Sequence, residues 1–220
     1  MTKLVPLGDQ AALAYFADEA AALRFAAAVR ADNAAWLIDV VQAYASVAVF
    51  FDLDRARYRD VAAYLRQLAE RPASQGEAVL GRLHYIPCCY EMQLDLDRVS
   101  AHTGLSAEDI IRLHTATEYT VYAIGFCPGF PYLGYLPVEL CGVRRLDQPR
   151  VRVAAGSVGL TGRQTGIYTE ERPGGWNIIG RTPLELVNVA DGYFPLRVGD
   201  RVKFQRIDES EFRSAEGERL

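Results

Sequence analysis

The sequence predicts an α+β chain: an N-terminal ferredoxin-like α/β sandwich over residues 1–92, then a β-barrel over residues 117–210. Three observations carry this expectation. Fourteen of the 18 glycines and seven of the 10 prolines follow residue 115, which marks a change from long elements to short ones broken by turns. The earlier half alternates strand and helix patterns in the order β-α-β-β-α-β, that of a split sandwich. With 220 residues, half of them apolar, the chain is long enough to bury one large core or two small ones.

Taken in order, "AALAYF" (11–16) reads as a short strand and the alanine-rich "DEAAALRFAAAVRA" (18–31) as a helix. "WLIDVVQAY" (36–44) and "SVAVFFD" (46–52) read as consecutive strands, with Val47, Val49 and Phe51 on one face. In "RARYRDVAAYLRQLAE" (55–70), Tyr58, Val61, Leu65 and Leu68 form one helical stripe. "AVLGRLHYIPCCY" (78–90) supplies the last strand of the sandwich. A helical connector follows over residues 93–116: Gly104 stops one helix, and Ser106 caps the next with Asp109 three residues on. Ile110, Leu113 and His114 lie on the inward side of that helix. From residue 117 come short runs between turns: "TVYAIGF", "VRVAAG", "SVGLTG", "QTGIYT", "WNIIGRT", "LELVNV" and "DRVKFQRI". The charged tail, residues 211–220, is expected to fray.

A formal charge of −4 and a pI near 5.5 argue against nucleic acid and anionic membrane surfaces as partners. No apolar run reaches bilayer length and "MTKLVPLGDQ" has no hydrophobic signal core, so a cytoplasmic location is expected. Cys88, Cys89, Cys127 and Cys141 form no C-x-x-C pair and the histidines lack zinc-ligand spacing, so reduced thiols and no metal site are expected.

"GFCPGFPYLGYLP" (125–137) has a composition that a packed strand or helix rejects. It predicts a shaped loop forming a pocket wall, with Gly129 turning the backbone and Phe126, Phe130 and Tyr132 facing a ligand. Glycines 156, 159, 162 and 166 are expected to leave amides open to an anion or carbonyl oxygen. The spacing is not that of a phosphate loop, since no glycine is followed by Lys and Ser/Thr as that loop requires. Ser157 lacks a G-x-S-x-G setting and a neighbouring base, which leaves it a turn hydroxyl or a hydrogen-bond donor to a carbonyl. Gln164 both donates and accepts and suits an amide ligand, with Thr165, Gly166, Arg150, Tyr168 and Arg181 nearby in sequence. Trp176 reads as barrel core. His114 is the one histidine in a position suited to catalysis, against the alternative of a satisfied buried residue; His84 and His102 receive no role. His114, Ser157 and Gln164 are thus the weak catalytic candidates. Donors and a cation without a general base imply a pure binding module or half of a site completed by another chain.

The stretches "YTVYAIGFCPGFPYLGYLP", "PRVRVAAGSVGLTGRQTGIY" and "PGGWNIIGRTPLEL" together resemble the allophanate hydrolase subunit 1 family, also described as the B-type subunit of 5-oxoprolinase and as sporulation-kinase inhibitors. The resemblance implies that the barrel is cyclophilin-like. It also implies a complex with two partners, a cyclophilin-like C-type subunit and an A-type subunit. That complex opens 5-oxoproline to L-glutamate, with ATP and Mg as its co-substrate. Matched motif positions are Phe126, Pro128, Gly129, Phe130, Pro131, Arg150, Gly156, Ser157, Gln164, Thr165 and Gly166. On that reading the Gly/Pro-held rings form a slot for a small lactam, Gln164 reads its amide and Arg150 pairs its carboxylate. Two positions depart from the family pattern: "EMQLDLD" (91–97) replaces a Gly-Gly-Glu-like turn, and Ala154 stands where proline is usual. Three function classes remain open: a component of ATP-dependent lactam hydrolysis, a regulatory binder of a sporulation-type histidine kinase, and a component of a biotin-dependent urea amidolyase or allophanate hydrolase system.

Overall fold

The computed structural model describes residues 1–71 and 81–220. The chain divides into two units, Met1–Leu80 and Gly81–Leu220. The first holds β1 (Lys3–Pro6), β2 (Ala11–Tyr15), α1 (Glu19–Asp32), β3 (Leu37–Ala43), β4 (Ser46–Phe51) and α2 (Tyr58–Glu70). Its strands pair antiparallel in the order β1-β2-β4-β3. Asp18 caps α1 by accepting from the Ala21 amide. The alternation of β4 buries Val47, Val49 and Phe51 against Phe25 and Val29 of α1 and Val61 and Leu65 of α2.

The predicted ferredoxin-like order is not what forms. The place beside β2 is taken by β1, from the N-terminus. The expected closing strand, 78–90, begins outside the described residues at 78–80 and is seen as β5 (Leu83–Cys89) in the second unit. The unit boundary accordingly falls at residue 80 rather than 92. A short alternating run cannot show which edge it will join; β5 has a seven-residue parallel register with the C-terminal strand of the barrel, which holds it there.

The second unit continues with α3 (Leu96–Thr103), α4 (Ala107–Ala116), β6 (Glu118–Ile124), β7 (Pro131–Gly134), β8 (Arg150–Val153), β9 (Ser157–Thr161), β10 (Gln164–Ile167), β11 (Arg172–Gly174), β12 (Asn177–Arg181), β13 (Arg201–Ile207) and α5 (Glu209–Ser214). Seven strands run β6-β13-β5-β12-β9-β10-β7, and pairing of β6 with β7 closes the barrel. Only β5–β13 is parallel within it. Asp200 anchors that pair: its carboxylate accepts from the Arg82 and Arg197 amides at 3.0 and 2.9 Å and meets His84 Nε2 at 3.1 Å.

The barrel is a filled core. Ile86, Tyr90, Tyr119, Val121, Leu133, Val158, Leu160, Ile167, Ile179, Val202 and Phe204 pack in one cluster, joined by Ile110 and Ile111 of α4. The caps of the connector are as expected: Gly104 ends α3 at φ +74°, and Ser106 accepts from the Asp109 amide.

Three local expectations need correction. Pro131–Gly134 is the closing strand β7, not loop; a proline at the first position of a strand removes no essential ladder bond. "VRVAAG" contributes β8, which pairs only with β11 in a separate two-stranded ribbon. "LELVNV" forms isolated bridges, Glu185 with Arg219 and Asn188 with Tyr193, instead of a strand.

The tail is ordered rather than frayed. Asp208 and Glu211 form a reciprocal capping box on α5, and Phe212 is buried with the Arg181 guanidinium 5.4 Å from its ring. Phe212→Ala should therefore lower unfolding free energy by about 3 kcal/mol, as loss of a buried ring does. Denaturant melting checks this, and an unchanged midpoint would mean that the tail does not pack.

Candidate functional site

The motif at residues 125–137 folds as a tight turn running into β7. Gly125 donates its amide to Phe130 O at 3.1 Å, Phe130 donates to Cys127 O at 3.2 Å, and Cys127 donates to Gly125 O at 2.9 Å. The last bond closes a three-residue γ-turn with Phe126 at its centre, φ +69°. A bulky residue in the left-handed region is strained by roughly 1–3 kcal/mol. The strain leaves the Phe126 ring standing out, 60% exposed. Gly129 also has φ +69°, and a Cβ there would lie 2.1 Å from Val187 Cγ2, so both conformation and space demand glycine.

Phe130 is the hub of an aromatic cluster. Its ring meets Phe126, Tyr132, Tyr168 and Trp176 edge-on, with centroids 4.9–5.5 Å apart. Gly166 on β10 makes room beneath: a Cβ would be 3.0 Å from Phe130 Cζ and 3.1 Å from Trp176 Cζ3. Above the cluster lies a cleft of about 240 Å³ lined by these five aromatics with Arg145, Pro149, Pro173, Gly174 and Gly175. That is below the roughly 300–1,000 Å³ of clefts for drug-sized ligands, so a small molecule is the fitting occupant. Burial raises the phenol pKa of Tyr132 and of Tyr168, and the positive charge of Arg145 opposes both shifts. The hydroxyls therefore stay protonated and serve as donors or acceptors, not bases.

Of the sequence-predicted residues, Phe126, Phe130 and Tyr132 line this cleft, and Gly129 and Gly166 shape it. Phe130, at 2% exposure, is as much core as wall. Ser157, buried at the start of β9, Gln164, half-buried at the start of β10, and Thr165 are not part of the lining. The glycine amides expected to be open are partly in use: Gly156 donates to Tyr168 O and Gly162 to Val143 O, both at 2.7 Å, while Gly159 and Gly166 face one another across the β9–β10 ladder.

Arg150 is not a free cation. It donates two bonds, 2.9 and 2.7 Å, to the carboxylate of Asp95, whose side chain is 6% exposed and also accepts from the Ile178 amide at 2.7 Å. Asp95 lies in the 91–97 stretch that departs from the family pattern. Sequence reasoning had no signal for that pair, which spans 55 positions. It also took Trp176 for barrel core and passed over Arg145, although all of "PGGW" (173–176) lines the cleft and Arg145 stands four residues before the cleft-lining Pro149.

His114 is likewise structural. Tyr90 hydroxyl donates to Nδ1 at 2.7 Å; Nε2–H donates to Thr165 Oγ1 at 3.0 Å, which donates to Gly159 O at 3.1 Å. This chain of neutral groups crosses the filled barrel, and burial alone brings the His114 pKa down to about 3. Among the described residues no group of three or more His, Cys, Asp and Glu side chains is placed to hold a metal ion.

Comparison with known proteins shows the family to which the chain belongs. The family of the carboxyltransferase domain, subdomain C and D, matches residues 2–193. The chain is 39% identical over 187 residues to the 5-oxoprolinase B subunit of Bacillus subtilis (strain 168), covering 80% of this chain and 78% of that protein. It is 41% identical over 172 residues to the 5-oxoprolinase B subunit of Haemophilus influenzae, covering 76% and 78%. The crystal structure of TTHA0988 superposes with a TM-score of 0.78 at 33% identity over 90% of this chain, which spans 40% of that longer chain.

Two outcomes follow from the polar pairs. Arg150→Met should cost roughly 2–4 kcal/mol of stability, the range for stranding a buried carboxylate, reduced because Arg150 is 28% exposed. Chemical denaturation measures it, and full stability would contradict a structural pair. His114 binds a proton readily only when unfolded, so its contribution is complete above pH ~6.5 and falls by up to about 1.4 kcal/mol per pH unit as pH drops toward 3. Melts between pH 7 and 5 should show a shallower slope in His114→Gln than in the parent; equal slopes would contradict a buried neutral imidazole.

Proposed function

Because the chain belongs to the carboxyltransferase-domain family of subdomains C and D, among the B-type subunits of 5-oxoprolinase, we propose that it is the B-type member of an ATP-dependent 5-oxoprolinase. The complex opens 5-oxo-L-proline to L-glutamate. The observation that carries this reading is the aromatic cleft beside the strained Phe126 turn. Its size suits a five-membered ring, and its lining offers apolar faces with phenol groups for the polar edge.

The lactam amide is stabilised by resonance, so water alone attacks its carbonyl slowly. ATP, with Mg, supplies the activation at the carbonyl oxygen when bound by the complex. This chain contributes the recognition surface. Its cleft holds the ring, the Phe126 turn fixes one wall, and the Pro149 and Pro173 segments form the other. The sequence contains no phosphate loop, and the cleft has donors without a base, so the A-type and C-type subunits complete the site. The barrel is taken as cyclophilin-like on the motif resemblance. The cytoplasm, which supplies ATP and keeps the four free thiols reduced, is the fitting compartment.

The test is reconstitution. The purified chain alone should release no glutamate from 5-oxoproline and ATP, while its complex with the A-type and C-type subunits should. In that complex Phe126→Ala should collapse turnover at little cost in stability, because the ring is already largely exposed. Phe130→Ala should instead lose about 3–5 kcal/mol of stability, as a buried hub would. Turnover by the lone chain, or a Phe126→Ala complex as active as its parent, would overturn the proposal.

A further inference from the structure

We propose that Arg145 is the anion-recognising residue of the cleft, so that the site selects a small planar ring bearing a carboxylate over the same ring without one. The inference rests on the cleft reading above and deepens it by assigning the group that sets its substrate class.

The cluster of rings by itself has no means of telling a charged ring from a neutral one. A cation is needed at the rim, and most arginines of the segments that build the second half of the chain are engaged; Arg144 has no side-chain partner among the described residues but does not line the cleft. Arg150 is held by Asp95. Arg152 pairs with Glu171 and Arg172 with Glu170, on the β8–β11 ribbon. Arg181 donates to Ala155 O, and Arg163 lies over Tyr135. Arg145 is different. It is exposed and lines the cleft, and it has no ion-pair or hydrogen-bond partner among the described residues. Its guanidinium carbon stands 6.0 Å from the Trp176 ring centroid.

That position has two physical consequences. The π-face of Trp176 attracts the guanidinium and limits its freedom, so less order is lost when an anion arrives. The planar fork of N–H donors matches both oxygens of a carboxylate. A ring seated on Phe130 and Trp176 then points its carboxylate at Arg145 and its amide edge toward the Tyr132 and Tyr168 hydroxyls. The geometry separates ring recognition from charge recognition, so the two can be disturbed independently.

Steady-state kinetics of the complex with the A-type and C-type subunits tests this. Arg145→Met should raise the KM for 5-oxoproline about ten- to a hundredfold, the range for losing one charge-assisted hydrogen bond, with kcat changed far less. Inhibition by 2-pyrrolidinone, the same lactam without the carboxylate, should be unaltered by that substitution. Arg145→Lys should recover part of the loss, since it restores charge without the fork. An unchanged KM in Arg145→Met, or an equal loss of affinity for both compounds, overturns the Arg145 assignment while leaving the cleft in place. Failure of the cleft reading looks different: Phe126→Ala would then turn over like its parent, or the unsubstituted complex would release no glutamate, and the Arg145 assignment falls with it.

Discussion

The buried carboxylate of Asp95 ties the cleft to the rest of the second unit. It receives both arms of Arg150 and the Ile178 amide, while the amides of Leu94 and Asp95 donate to Ile178 O at 3.0 and 2.9 Å. One side chain thereby joins the start of α3, the ribbon strand β8 and the barrel strand β12. Pro149 precedes Arg150 and Trp176 lies two residues before Ile178, so two segments of the cleft lining take their positions from the same carboxylate. A desolvated carboxylate is tolerated when its lone pairs are filled, and here three donors fill them.

The closed barrel explains why the site lies outside it. Its interior is occupied by aliphatic and aromatic side chains and by the His114 chain of hydrogen bonds. Recognition therefore depends on what the strand ends and ribbon place at the rim. There the backbone accepts strain at Phe126, and glycine at positions 129 and 166 allows close approach. The same cluster supplies rigidity: five rings interlocked edge to face hold one another with little rotamer freedom.

Most of the local structure was legible in the sequence. The helix stripes, the Gly104 stop and Ser106 cap of the connector, the alternation of β4 and the turn-rich barrel each follow from periodicities and residue preferences that act over a few positions. The unusual loop was also legible, because Gly129 and the rings around it have no place in an ordinary element. Pairing was less so. Whether "LHYIPCC" joins the first sheet or the barrel depends on an edge more than a hundred residues away, and its register with Arg201–Ile207 decides it. A separation of 55 positions likewise hid the ion pair between Asp95 and Arg150, so an arginine with suitable sequence neighbours looked free when it was not.

The sequence by itself thus determined most of the element types, the two compositional halves, the family motifs and the presence of an aromatic, backbone-constrained turn. These depend on local sterics and on the burial of apolar stripes, which are short-range properties of the chain. Tertiary structure decided which aromatics share a cleft, that His114 is locked neutral inside the barrel, and which arginine has its charge compensated. Those outcomes turn on burial and on partners far apart in sequence: desolvation makes a distant carboxylate claim Arg150, while Arg145, left beside Trp176 without an ion-pair partner among the described residues, keeps its charge available at the rim.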